Sequence, residues 1–430
     1  MNKILTLFVL FLLNLILIQN KFLDQSLFAQ IEEDLIFTID NDNETSLKEA
    51  MEIVNEKGGL IIINTPLITL RNHKKLQLTG LSNSGILGIK QQNGEYPIIY
   101  LDTQIIDNMM PSPKFFSGIE LYGANKFLKN IIVENSIGSG IYIKGKNNTL
   151  DHIVTRYNRY AGIQIDVEAD NNILKNCYSY RNICNAIYAN GGFGFHINGA
   201  KNILLENCVA FDNARSGFNS IPSSQSNDIT FSHCSSWNNG NIDVFTGEFD
   251  FNNGKPLDKR LWTIKRIIEN NAEFEKNYQN KIFNFTSEFE KKFFSDTELQ
   301  SSKIGFEIEE TDKSKITIDY CVSFDNKIGI FMKTCLNCNL SISNLASFNN
   351  FQNYENPNSI LEEWVNNWVW NGRVYDTIYS GYDLKYPRDT QNVNKLFYQI
   401  RDRIVDSLFE NKIPDSVTFD IGIRGLKNNN

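Results

Sequence analysis

The sequence has no excess of basic charge, no even set of cysteines, no second membrane-length segment and none of the short fingerprints of common enzymes. Acidic residues outnumber basic ones, 50 to 42, and the formal net charge of −8 excludes a general nucleic-acid binder. Seven cysteines cannot all pair within one chain, which argues against a secreted disulfide framework. Beyond the first residues no apolar run approaches the roughly 20 residues needed to span a bilayer. A phosphate-binding P-loop, a dinucleotide fingerprint, a Gly-x-Ser-x-Gly elbow and a His-Glu-x-x-His zinc motif are all absent.

What is present points to an exported, well-folded chain. The 430 residues are 41% hydrophobic and 21% charged, enough for one large core or two ordinary ones and too apolar for disorder. Lys3 precedes an apolar run from Ile4 to Ile18, interrupted only by Thr6 and Asn14, and Leu27-Phe28-Ala29 could precede a cleavage. Residues 1–29 therefore read as a signal peptide or an uncleaved N-terminal anchor, and the expected location is secreted, cell-surface or periplasmic. Asparagine is abundant and often paired, as in Asn147-Asn148, Asn171-Asn172, Asn238-Asn239 and Asn349-Asn350. Its short amide bonds to local backbone and tolerates left-handed geometry, so each pair marks a turn.

Those turns punctuate a repeat. Segments aligned on a Gly-apolar pair read Ser117-Gly118-Ile119-Glu120-Leu121, Ser139-Gly140-Ile141-Tyr142-Ile143 and Ala161-Gly162-Ile163-Gln164-Ile165. Gly194-Phe195-His196, Gly217-Phe218-Asn219, Gly305-Phe306-Glu307 and Gly329-Ile330-Phe331 continue the series, and the first two steps are 22 residues each. Period-two alternation puts the residue after glycine on one face of a short strand, which cannot bury that face alone. Stacked coils bury it continuously, giving an all-β parallel β-helix from about Ser117 to Asn350. Asn158, Asn182, Asn213, Asn239, Asn326 and Asn350 should then form one ladder of amides. Cys177, Cys208, Cys234 and Cys321 fall in a column with Ile131, Ile153 and Leu345, which reads as small buried hydrophobes. Cys335 and Cys338 form a lone CxxC, weak as a zinc signal.

A solenoid must hide its ends. Thr45 to Lys57 and Asn392 to Glu410 have helical apolar spacing and are expected to be capping helices. The spacing breaks near Asn190-Gly191-Gly192, with about ten extra residues, and at about 241–302, read as a helical insertion. The expected organisation is thus 1–29 signal or anchor, 30–116 N-terminal cap and first coils, 117–350 β-helix coils, and 351–430 C-terminal cap region.

The stretch Gly192-Phe193-Gly194-Phe195-His196-Ile197-Asn198-Gly199, with Asn207-Cys208-Val209-Ala210-Phe211-Asp212-Asn213 and Ser216-Gly217-Phe218-Asn219, resembles the pectate lyases of polysaccharide lyase family 9. The resemblance implies a right-handed β-helix acting on an acidic polysaccharide by β-elimination, with calcium as cofactor. That family's base is a lysine; His196 stands at the matching position here. Its calcium aspartates match Ser139, Tyr160, Ala161 and Gln164, none a carboxylate, so Asp166, Glu168 and Asp170 nearby are the expected oxygen ligands.

Eliminating across a uronate requires a base for the proton beside the carboxylate and a cation for the carboxylate itself. Histidine is partly neutral near pH 7 and can serve as the base. Alternation points His196 outward, opposite Phe195, in a column with Tyr142, Gln164 and Asn219. Arg215 is its expected partner at the reacting carboxylate. Lys144 follows in the same outward set, with Arg156 and Arg159 in nearby turns. Tyr142 and Tyr160 could stack on sugar rings and Asn219 bind them. The motifs of β-helical polygalacturonases, Asn-Thr-Asp and Gly-His-Gly, are absent. The expectation is a monomeric polysaccharide-binding lyase. The alternative, left open by sequence, is a catalytically inactive β-helix for glycan binding or surface adhesion.

Overall fold

A computed structural model describes residues 35–414, apart from 103–116, 241–303, 376–389 and several short loops. The expected signal or anchor, the insertion at about 241–302, Arg159 and the Cys335–Cys338 turn lie outside the described residues. The chain forms a parallel β-helix. One wall is a sheet of ten strands stacked in chain order: β1 (Leu76–Leu78), β2 (Ile119–Leu121), β3 (Ile141–Ile143), β4 (Ala161–Ile165) and β5 (Phe193–Asn198), then β6 (Phe218–Ile221), β7 (Ile304–Glu309), β8 (Ile328–Lys333), β9 (Gln352–Glu355) and β10 (Arg373–Tyr375). The remaining strands of the coils join into a second, nineteen-stranded sheet. Near Asn190, where the spacing lengthens, Cys184–Asn185 pairs antiparallel with Asn190–Gly191.

The register follows the sequence columns. Ile141, Ile163, Phe195, Phe218, Phe306 and Ile330 are successive partners on the inner face. Phe195, Phe218 and Phe306 stack at 4.9 and 4.7 Å between ring centroids, in step with the strand spacing of roughly 4.8 Å. The glycine just before this column is sterically required: a Cβ on Gly162 would lie 1.8 Å from Ser179 Oγ. Cys177, Cys208, Cys234 and Cys321 are buried free thiols in the same core as Ile131, Ile153 and Leu345.

The paired asparagines divide their work. The first of each pair, Asn147, Asn171, Asn238 and Asn349, takes a left-handed φ between 51° and 59°, which lets the chain turn its corner. The second is buried and bonds along the stack, as when Asn148 N donates to Asn172 Oδ1 at 2.8 Å. The longest ladder runs Asn158–Asn182–Asn213–Asn239–Asn326–Asn350, with amide-to-amide distances of 3.0, 2.9, 3.0, 3.2 and 3.3 Å.

Helix α1 (Glu44–Lys57) is capped by Asn43, whose side chain accepts from Thr45 N and Ser46 N. Its Leu47, Ala50, Met51 and Val54 close the first coils of the core. Helix α2 (Thr390–Phe409) caps in a different manner from the one expected: it lies along the flank of the stack. Val393, Phe397, Ile400, Ile404 and Leu408 cover an outward aromatic stripe that includes Tyr180, Phe211, Trp237, Phe324 and Phe348. No helix among the described residues is long and apolar enough to cross a membrane.

Candidate active site

The outward column of the ten-stranded sheet runs Gln77, Glu120, Tyr142, Gln164, His196, Asn219, Glu307 and Phe331, each the register partner of the next. Alternation and the Gly-apolar alignment thus bring the expected Tyr142, His196 and Asn219 onto one line. The sequence suggested an open surface, and the structure corrects that. His196 is 1% exposed, and Gln164 and Asn219 are equally covered. Neighbouring rings supply part of the cover: Phe193 stacks on His196 at 4.8 Å, and Tyr160 stands edge-on to it at 5.5 Å.

A buried column of polar groups must satisfy its hydrogen bonds, and from His196 to Glu307 it does so in a directional chain. Glu307 is an acceptor for three donors. Arg215 Nη2 approaches Oε1 at 3.3 Å, while Asn219 Nδ2, at 2.9 Å, and the Ser216 hydroxyl both reach Oε2. With its NH2 committed to Glu307, Asn219 turns Oδ1 toward His196 Nδ1 at 2.7 Å. An amide oxygen can only accept, so Nδ1 carries the imidazole proton and Nε2 carries the lone pair. Nε2 faces the Tyr160 hydroxyl at 3.4 Å. The chain Glu307–Asn219–His196 therefore fixes the tautomer in which Nε2 is the base.

Burial raises the Tyr160 phenol above its ordinary range, with the Arg215 charge pulling the other way, so at neutral pH Tyr160 keeps its proton. Arg215 lies over the Phe193 ring at 5.0 Å. Its Nη2 is engaged by Glu307, but its Nε is buried without an acceptor. Gln164 Nε2 and Asp166 Oδ1 are likewise unmet. Each such atom costs about 1–3 kcal/mol when left dry. A water or a polar ligand would answer each of them.

Other expected residues fall differently. Lys144 is exposed, at the turn after β3. Tyr142 is buried and donates its hydroxyl to Asp166, and burial and that bond raise its phenol well above the usual range. Arg156 is no substrate ligand: it is buried against Glu134, Tyr180 and the C-terminal carbonyl of α2 at Leu408. The three carboxylates expected to hold calcium do not converge. Asp166 accepts from Tyr142, Glu168 is exposed, and Asp170 pairs with Lys146 at 2.7 Å. Among the described residues no three His, Cys, Asp or Glu side chains form a metal-binding group. The donor set does not fit a calcium ion. Glu307, Ser216 and Phe193 are contributions that the sequence reading missed. Glu307 follows Phe306 as Asn219 follows Phe218, so its place in the column was available from the alignment.

The fold and its polar column define a parallel β-helix of the kind found in polysaccharide lyases. Residues 38–256 match the family described as Pel9A-like, right-handed β-helix region, and the chain belongs to that family. Among solved structures it is similar to pectate lyase Pel9A, at 17% identity over 83% of this chain and 80% of that one, with a TM-score of 0.56. Weaker likenesses include the A-module of the Azotobacter vinelandii mannuronan C-5 epimerase AlgE4, 12% identical over 76% and 77% with a TM-score of 0.47. A rhamnogalacturonan lyase is 13% identical over 81% and 88%, with a TM-score of 0.43. No curated protein matches the sequence.

Proposed function

We propose that this protein is an exported lyase that cleaves a uronate polysaccharide by β-elimination, with His196 as the base. The observation that carries this reading is the Glu307–Asn219–His196 chain, which holds Nε2 in its proton-accepting form beside Tyr160. Family membership and the shared fold support a polysaccharide as ligand. The export reading rests on Lys3 and the apolar run Ile4 to Ile18.

In the proposed reaction the uronate carboxylate pairs with Arg215 Nε, which makes the adjacent C5 proton more acidic. His196 Nε2 takes that proton, the C4–O bond breaks, and a C4–C5 double bond forms. The departing oxygen takes its proton from the Tyr160 hydroxyl. The imidazolium then returns a proton to the tyrosinate across the 3.4 Å gap, restoring both groups. Acid and base lie on one side of the sugar, so the elimination is syn and takes a uronate whose C5 hydrogen and C4 oxygen are cis. No step requires a metal.

The burial of His196 favours a second reading, a glycan-binding solenoid that does no chemistry. Unsaturated uronate absorbs in the ultraviolet, so purified protein on a panel of uronate polymers distinguishes the two. Rising absorbance that is lost in His196→Ala supports the lyase; binding without product on every polymer, unchanged by the substitution, supports the second reading.

A further inference from the structure

We propose that the Phe193 ring is a gate over His196, held shut by the Arg215 guanidinium. This rests on His196 being the base, because a base must be reached and this one is covered. The three residues are layered from solvent inward. The Arg215 side chain is 25% exposed, Phe193 is 4% exposed and His196 is 1% exposed. Arg215 lies over the Phe193 ring at 5.0 Å, and that ring lies on the imidazole at 4.8 Å with 14° between their planes. An incoming carboxylate therefore meets Arg215 first and the base last.

The backbone on either side of this layer is pinned. Gly192 N and Phe193 N both donate to the Tyr160 carbonyl, at 2.7 and 3.2 Å, and Arg215 N donates to the Gly192 carbonyl at 2.8 Å. The phenyl ring, by contrast, carries no polar atom and has no hydrogen bond to break. Rotation about its own side-chain torsions uncovers the imidazole while the strand stays in place. Tyr160 does not fit this part. It stands edge-on to Phe193 at 6.0 Å and to His196 at 5.5 Å, and its hydroxyl faces the His196 Nε2 that it serves. What opposes rotation is the guanidinium, whose charge is attracted to the face of the ring. Arg215 is fixed in turn by Glu307 at 3.3 Å. One carboxylate thus anchors both the chain that sets the tautomer and the latch that covers it.

The test is the rate at which diethyl pyrocarbonate acylates each of the four histidines, followed by mass spectrometry of the full chain and its variants. A covered group reacts in proportion to the fraction of time it is open. In Phe193→Ala, His196 should react at least about tenfold faster than in the native protein, with His152 and His233 unchanged. Arg215→Gln keeps the ring and removes its latch, and should speed His196 by at least about threefold. A smaller rise in either variant overturns the proposal: in the first the ring is not the cover, and in the second Arg215 does not hold it. If Phe193→Ala speeds His152 and His233 as well, the fold has loosened and Arg215→Gln decides alone. Acylation needs no turnover, so ultraviolet product assays on the same samples separate the gate from the chemistry. Faster acylation without product from any uronate polymer keeps the gate and removes the lyase, and product with unchanged acylation does the reverse.

Discussion

Replacing Glu307 by glutamine tests the candidate site at its deepest point, because the change conserves shape and alters only what one oxygen can do. Oε1 faces Arg215, while Oε2 receives both Asn219 and Ser216. A glutamine NH2 cannot face Arg215, a pure donor, so it turns toward Asn219. The Asn219 amide must then rotate to present its oxygen, which brings Nδ2 against His196 Nδ1. The imidazole responds by moving its proton to Nε2, and the base is lost. A hydrogen bond to a charged group contributes about 1.5–3 kcal/mol, so reversing this preference moves the tautomer ratio by roughly 10- to 100-fold. The turnover number should fall by a similar factor with little change in KM, since substrate contacts remain. The assay is nitrogen-15 NMR of labelled histidine, which reports the tautomer whether or not the protein turns over. The chain has only four histidines, and His196→Gln identifies the signal. Native His196 should carry its proton on Nδ1, and Glu307→Gln on Nε2. A native protein with the proton on Nε2, or a variant whose tautomer is unchanged, refutes the relay.

Other expectations follow from the same geometry. Chelation with EDTA should leave lyase activity and melting temperature unchanged, because Asp166 accepts from Tyr142 while Asp170 pairs with Lys146; loss of either restores a calcium site. Burial works to raise the Asp151 carboxyl, but its bonds to His152 and Lys129 win and hold it below the usual range. Such a depressed group stabilises the fold above its unfolded value of about 4 and loses that contribution as pH falls below it. Thermal melts from pH 6 down to about pH 2 should therefore drop more steeply for the native protein than for Asp151→Asn. Arg156→Ala removes the guanidinium paired with the buried Glu134 carboxylate, a change that costs about 3–5 kcal/mol. It should also free the end of α2, read as faster proteolysis near residue 410, and unchanged cleavage would show that the pair does not hold the helix. Asn213→Ala breaks two rungs of the ladder and should lower stability by about 2–4 kcal/mol in chemical denaturation.

Much of the fold was legible because stacking imposes a period that survives substitution. The Gly-apolar pairs gave the register of β2 to β8, since a Cβ at Gly162 or an out-of-phase phenylalanine would break the stack locally. The asparagine and cysteine columns followed from the same alignment. The site was legible in part. Alternation placed His196, Asn219 and Gln164 on one outward line, but it could not show that Phe193 and Tyr160 close over them. Position in a turn made Arg156 resemble a surface cation, whereas the partner that buries it, α2, comes some 250 residues later. Glu307 was missed although the Gly-apolar alignment already placed it after Asn219: the column gives its position, but not that its carboxylate gathers Arg215, Ser216 and Asn219.

The route of α2 has a consequence for how the molecule assembles. A stack of coils joined only to their neighbours behaves as a one-dimensional array that can fray from either end. Here Tyr398 touches Asp325 and Asn349, while the carbonyl of Leu408 is fastened to Arg156 and Tyr180. A helix of 20 residues is about 30 Å long and bridges six turns of the solenoid at once. This helix, which follows all the described coils in the chain, thus works as a splint, binding early coils to late ones and turning piecemeal fraying into a single cooperative transition. A chain truncated before Thr390 would leave its aromatic flank bare and should clump rather than simply melt at a lower temperature.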